Sequence, residues 1–223
     1  MCTNRWIRAG LACSILSVSF VATVAGTAQA QIGSGWKSAT YTKKIHLDDE
    51  DGLQTFNWTS YKSVCNPICA DYRASGNAEI FRILDNRSNR SEIRLYNEYS
   101  SGERQFQGYV TFSSPLNDES LFQIFGSTSG ATLTMMRGYS DSGGTLRTVG
   151  GGGVLATGVY GKEQRVNVIH KQDDYVEFYV NGSRKARFSE AEEVTNYWKY
   201  GVYGTLRTGA VTVTWRAVQT FTR

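Results

Sequence analysis

Downstream of residue 31 the chain alternates apolar and polar side chains with a period of two almost everywhere, and this constrains its fold more than any other feature. Segments 78–84, 90–96, 106–112, 121–125, 131–136, 165–170, 175–180 and 209–221 are short and rich in β-branched or aromatic residues. Gly, Asn, Asp or Ser bounds each of them. A period of two sends successive side chains to opposite faces of a strand, whereas a helix repeats every 3.6 residues. Turns such as Asp85-Asn86, Ser101-Gly102 and Asn181-Gly182 separate these segments. The expected architecture is all-β, an antiparallel β-sandwich or barrel. Residues 189–194, short and acidic, form the single helical candidate. No repeat or linker divides the chain, so one domain is expected over 31–223, with Gly150 to Gly153 as a mobile loop.

Residues 1–30 are written differently. Arg5 and Arg8 precede an apolar run from Leu11 to Val24, and the stretch closes on Ala28-Gln29-Ala30. That order of basic, apolar and small residues predicts a signal peptide over 1–30, cut before Gln31. The apolar run is shorter than the ~20 residues of a membrane span. The chain is therefore expected to be secreted, extracellular or periplasmic, with no membrane partner once the leader is gone. Cys2 and Cys13 would leave with that leader, and Cys65 and Cys69 remain in Cys-Asn-Pro-Ile-Cys. In an oxidising compartment these two are expected to form a local disulfide; a zinc site would need a second Cys or His pair nearby.

The chain has two histidines, His46 and His170, in 223 residues. Two are too few for a multi-histidine zinc centre, so no metal or cofactor is expected, and proton transfer must lean on tyrosine, lysine or carboxylates. The formal net charge of +4 includes Arg5 and Arg8. Without them the chain is only weakly basic, which gives no ground for nucleic acid as a partner. Paired carboxylates spaced for glycoside hydrolysis, a Gly-x-Ser-x-Gly elbow and a phosphate loop are all missing from the sequence. A monomer is expected.

Three motifs carry more information. Arg90-Ser91-Glu92-Ile93-Arg94, Gln123-Ile124-Phe125 and Tyr197-Trp198-Lys199-Tyr200-Gly201-Val202-Tyr203 occur in this order, each with polar groups on one strand face and apolar groups on the other. Alternation joins Arg90, Glu92 and Arg94 against Ser91, Ile93 and Leu95. It joins Gln123 with Phe125, and Tyr197, Lys199 and Tyr203 against a core made by Trp198, Tyr200 and Val202. If the three strands are neighbours, their shared face is a groove suited to an anionic polymer. Arg90, Glu92 and Arg94 also fit an ordinary cross-strand salt-bridge ladder, and Tyr197 and Tyr203 fit simple sandwich aromatics.

These motifs resemble the signatures of the family 7 polysaccharide lyases, the alginate lyases with a concanavalin A-like jelly roll. The first motif matches fully, and the third matches at Tyr197, Lys199, Gly201 and Tyr203. The second departs: Phe125 stands where that family has a histidine. The resemblance implies an antiparallel jelly roll with one concave sheet forming the groove, and an acidic polysaccharide, a 4-linked polyuronate, as partner. It implies β-elimination in which Arg94 or Arg90 and Gln123 neutralise the sugar carboxylate, while Tyr203 acts at the scissile bond. Glu92 would hold the arginines in place, and Lys199, Tyr197, Arg90 and Phe125 would contact the substrate.

Phe125 leaves three alternatives. The chain manages with Tyr203 alone, restricted to syn elimination on mannuronate or glucuronate; or it recruits another histidine, His46 being the candidate substitute base; or it has become a non-catalytic lectin-like module. His170 shares strand parity with Val166 and Val168, which predicts a core or edge position.

Overall fold

The computed structural model describes residues 31–49, 52–57, 69–126, 132–149, 153–191, 194–204 and 209–223. The expected leader over 1–30, Cys65 and residues 150–152 of the glycine loop lie outside the described residues. Cys69, the expected partner of Cys65, is fully buried.

In chain order the strands are β1 (Lys37–Ala39), β2 (Thr42–Asp49), β3 (Gly52–Asn57), β4 (Ala70–Ser75), β5 (Ala78–Ile83), β6 (Arg90–Tyr96), β7 (Glu103–Phe112) and β8 (Glu119–Phe125). There follow β9 (Thr132–Tyr139), β10 (Thr145–Val149), β11 (Val154–Thr157), β12 (Gln164–Lys171), β13 (Tyr175–Val180), β14 (Ser183–Ser189), β15 (Tyr197–Tyr203) and β16 (Val211–Thr222). They form two antiparallel sheets of eight strands. One runs β14-β13-β12-β7-β16-β5-β4 with β1 beside β16, and the other runs β11-β10-β9-β8-β15-β6-β2-β3. The sandwich is a jelly roll, as expected.

Among the described residues of 189–194 the expected helix is not there. Ser189 ends β14, paired with Tyr175 of β13, and Glu190 and Ala191 continue without helical structure. The turn Asn181-Gly182 explains why β14 forms: both residues hold positive φ (52° and 84°), the backbone of a two-residue hairpin turn. Tertiary pairing with β13 outweighs the weak helical preference of this acidic stretch.

The core lies between the sheets and follows the alternation. Ile45, Leu47, Ser91, Ile93, Ile124, Trp198, Tyr200 and Val202 are all fully buried on the inner face of the second sheet. Phe106 of β7 meets Phe122, Tyr200 and Trp198 edge-on or tilted, with centroids 4.7, 5.5 and 6.1 Å away. Beneath β15 sits one buried carboxylate, Glu79. It accepts hydrogen bonds from the hydroxyls of Tyr200 at 2.8 Å and Tyr72 at 3.3 Å, and pairs with Lys43 at 3.1 Å. These bonds tie β15, which carries Lys199 and Tyr203 on its other face, to β5 and β2.

A second, smaller apolar cluster lies on the outer side of the first sheet. Trp36, Ile169 and Phe221 pack together with Ile32, Tyr175 and Tyr179. The Ile32 amide and carbonyl both bond to the Gln105 side chain, at 3.0 and 3.2 Å. This N-terminal cover is why the outward-facing Gln105, Gln107 and Asn167 are fully buried, with Asn167 Nδ2 donating to both glutamines at 2.9 Å.

His170 is fully buried, as its parity predicts. Its Nδ1 lies 2.7 Å from the Tyr99 hydroxyl and its Nε2 3.0 Å from Glu190 Oε2, while Trp198 Nε1 donates to the Tyr99 oxygen at 2.7 Å.

Candidate active site

The three motif strands are neighbours, in the order β8-β15-β6, and β2 lies beyond β6. Register sets their residues side by side: Arg90 opposite Tyr203, Glu92 opposite Gly201, Arg94 opposite Lys199, and Lys199 in turn opposite Gln123. From the far side His46 stands opposite Glu92 and Lys44 opposite Arg94. A cationic face is thus assembled from segments far apart in the chain.

The floor of this face is nearly closed to solvent although it points away from the core. Glu92, Gln123, His46 and Lys199 are only 1, 2, 5 and 6% exposed. The half-buried Arg90, Arg94, Phe125, Tyr197 and Tyr203 surround them. Such burial of polar groups on an outer face describes a recess crowded by long side chains. At its centre, Gly201 sits at φ +142°, and a Cβ there would lie 2.4 Å from the Ser91 carbonyl oxygen. Only glycine lets β15 approach β6 so closely at this point.

Glu92 organises the floor. Gln123 Nε2 donates to Glu92 Oε1 at 2.5 Å, and Gln123 Oε1 accepts from Thr132 Oγ1 at 3.1 Å, so the amide is held at both ends. Arg90 Nε lies 3.8 Å from Glu92 Oε2, and Arg94 donates to Glu98 at 2.6 Å. The arginines also stack: Arg90 lies 4.3 Å from the centroid of Tyr203, and Arg94 3.9 Å from Tyr197 and 4.6 Å from Tyr96. Phe125 stacks on Tyr197 with centroids 5.0 Å apart, and the Lys199 ammonium lies 5.0 Å from the Phe125 ring. Burial holds the Tyr197 phenol above its ordinary pKa, which keeps it protonated.

His46 belongs to this face, on the same side of β2 as Lys44 and opposite in parity to the core residues Ile45 and Leu47. Burial first, then the charges of Lys199, Arg90, Arg94 and Lys44, depress its pKa to about 4. Both ring nitrogens are buried without a hydrogen-bond partner among the described residues. Phe125 is remote from Tyr203 by comparison. It opposes Tyr197, six positions from Tyr203 on β15, or about 20 Å of strand.

Several residues of this face escaped the sequence reading. Lys44 belongs to β2, which no predicted segment covered, although the alternation Lys44-Ile45-His46-Leu47 was there to find. Arg137 and Arg147 face each other in register on β9 and β10 and extend the basic surface beyond Ser120, the neighbour of Tyr203. They pair with Asp118 at 3.1 Å and Asp141 at 2.6 Å. At the start of β8, burial lifts the pKa of Glu119 to about 7 against the opposing charge of Arg137. No periodicity announces a buried carboxylate of this kind.

No protein-family model matches the sequence. Solved structures match in shape. The alginate lyase PA1167 from Pseudomonas aeruginosa superimposes with a TM-score of 0.67 at 16% identity, over 82% of this chain and 98% of that one. The fold is that of the family 7 alginate lyases. AlyA1 from Zobellia galactanivorans, a marine enzyme of that family, gives 0.64 at 16% identity over 82% of this chain and 96% of its own. The alginate lyase AlyC3 in complex with dimannuronate gives 0.61 at 12% identity, over 81% and 89%. In sequence, a citrate-binding protein from Hevea brasiliensis is 35% identical over 116 residues, 51% of this chain and 47% of that protein. The chain thus spans about half the length of that relative.

Proposed function

We propose that this chain is a secreted polysaccharide lyase, a carbon–oxygen lyase that cleaves a 4-linked polyuronate, mannuronate-type alginate or a glucuronan, by β-elimination. The observation that carries the reading is the convergence of Arg90, Arg94, Lys199 and Gln123 on one recess with Tyr203 at its edge. A uronate C5–H becomes acidic enough to lose its proton only when the adjacent carboxylate is neutralised. Arg94 and Gln123 serve as donors for that carboxylate, and fixed donors of this kind stabilise the charge as it moves toward the enolate.

Tyr203, as the phenolate, then removes the C5 proton and becomes the phenol. The C5–H electron pair becomes the C4=C5 double bond, the C4–O bond breaks, and the departing O4 takes a proton from the same phenol. One residue can do both transfers where the proton and the leaving oxygen share a face of the ring, as in mannuronate and glucuronate. The Arg90 guanidinium stacked on the Tyr203 ring gives the passing negative charge a cationic neighbour. Lys199, Tyr197 and Phe125 shape the rest of the sugar path. The protein is proposed to act as a monomer without a cofactor, after loss of residues 1–30 and with Cys65 joined to Cys69.

The sequence relative named for citrate favours a second reading, a non-catalytic module in which the same cations hold a polycarboxylate. Incubation with polymannuronate, polyguluronate and glucuronan, followed by ultraviolet absorbance of the unsaturated ends, separates the two. The lyase reading expects product from at least one polymer, and Tyr203→Phe lowers turnover at least ~100-fold while binding persists. Binding with no product from any polymer would leave the binding module; unchanged turnover in Tyr203→Phe would remove that residue from its role.

A further inference from the structure

We propose that His46, supplied by β2 rather than by β8, is a carboxylate-binding residue of the recess, and that it takes up a proton when an acidic sugar binds. The proposal rests on the reading that this face binds a polyuronate, and it assigns to His46 a binding and proton-coupling role, not that of the base.

The position carries the inference. His46 is 5% exposed, and neither Nδ1 nor Nε2 has a hydrogen-bond partner among the described residues. A buried polar group left unpaired forfeits the hydrogen bonds that water would give it. Folded proteins seldom leave such groups unsatisfied away from a functional site. The groups facing it are Lys44 from its own strand, Arg90, Glu92 and Arg94 from β6, and Lys199 from β15; on β3, Thr55 stands opposite it in register. Four of these are cations. They attract a carboxylate to the recess; burial first, and these cations after it, keep the imidazole neutral in its absence, with a pKa of about 4.

A bound carboxylate reverses that balance. It offsets the cations, accepts a hydrogen bond from one ring nitrogen, and favours the charged imidazolium. The His46 pKa therefore rises on binding. Between about pH 4 and the raised midpoint the complex binds a proton that the empty protein does not, so affinity increases as pH falls through this range. Register also places His46 closer to Tyr203 than Phe125 is: two strands and two positions away, about 12 Å, against about 20 Å of strand.

The test uses the full mature chain in the Tyr203→Phe background, so that polymannuronate stays whole. Two histidines give two imidazole resonances; His46→Gln assigns them, and the resonance of buried His170 reports that the variant is folded. Saturating polymannuronate is expected to shift the His46 signal and raise its titration midpoint by at least about one unit. Calorimetry at pH 5 in buffers of different ionisation enthalpy is expected to show proton uptake. His46→Gln is expected to weaken binding about tenfold at pH 5 and less at pH 7. Binding heat with an unmoved His46 signal and no proton uptake would overturn the role of His46 and leave the groove intact. Absence of binding for polymannuronate, polyguluronate and citrate alike would overturn the groove reading and this proposal with it.

Discussion

Phe125 shows at the scale of a residue how far a motif can be trusted. The sequence places it on the face of Gln123, and that is where it lies, stacked on Tyr197. Its distance from Tyr203 follows from the register between β8 and β15, which sets it opposite Tyr197, and no local pattern encodes that register. Gly201 is the opposite case. Its place in the third motif was plain in the sequence, and the structure supplies the reason: a side chain at φ +142° would meet the Ser91 carbonyl and the Glu92 backbone. Gly201→Ala is expected to destabilise the fold by about 3 kcal/mol, through strain at that φ and displacement of β6. Chemical denaturation measures it, and a loss under about 1 kcal/mol would show that the two strands can separate without cost.

At the scale of elements, the strands found from sequence are those with clean alternation and sharp bounds. β6, β8, β12, β13 and β16 were anticipated to within a few residues. β2, β4, β10 and β14 were missed because their composition is mixed and polar, and their strand character comes from the partner beside them. β2 matters most, since it brings Lys44 and His46 to the face. The N-terminal segment before β1 was equally illegible, because the cluster it completes joins Trp36 to Ile169 and Phe221 from distant strands. Trp36 also donates from Nε1 to the Ile32 carbonyl at 2.7 Å and lies under the Arg223 guanidinium at 4.5 Å. Trp36→Ala is expected to cost about 3 kcal/mol in the same measurement. A negligible change would mean that the segment is an ornament of the first sheet, not its cover.

At the scale of the whole molecule, two buried groups give folding stability opposing dependences on pH. His46 has a pKa near 4 in the folded state against an ordinary 6.5. The unfolded chain therefore binds the extra proton between these values, and stability from this group falls as pH drops from about 6.5 to 4. Glu119 has a pKa near 7 against an ordinary 4.5. Here the folded state holds the extra proton, and stability falls as pH rises from about 4.5 to 7. The two slopes offset one another near pH 5 to 6. His46→Gln is expected to leave a stability that declines across that interval, and Glu119→Gln one that climbs. Identical pH profiles in both variants would show that neither group is perturbed as described.

Alternation along the chain is enough for the fold class, the inner and outer faces of the motif strands, and the core roles of Trp198 and Tyr200, because it is local and burial follows it; for His170 it left core and edge both open. It also named the groups that converge: Arg90, Glu92, Arg94, Gln123, Lys199 and Tyr203. Which of these touch, how the Arg137 and Arg147 strands extend the basic surface, and that His46 faces the same recess with no hydrogen-bond partner among the described residues are settled by the folded sandwich. Those facts depend on pairing between segments separated by tens of residues, and in an antiparallel sheet such pairing is set by the packing of the whole sandwich, not by any one strand.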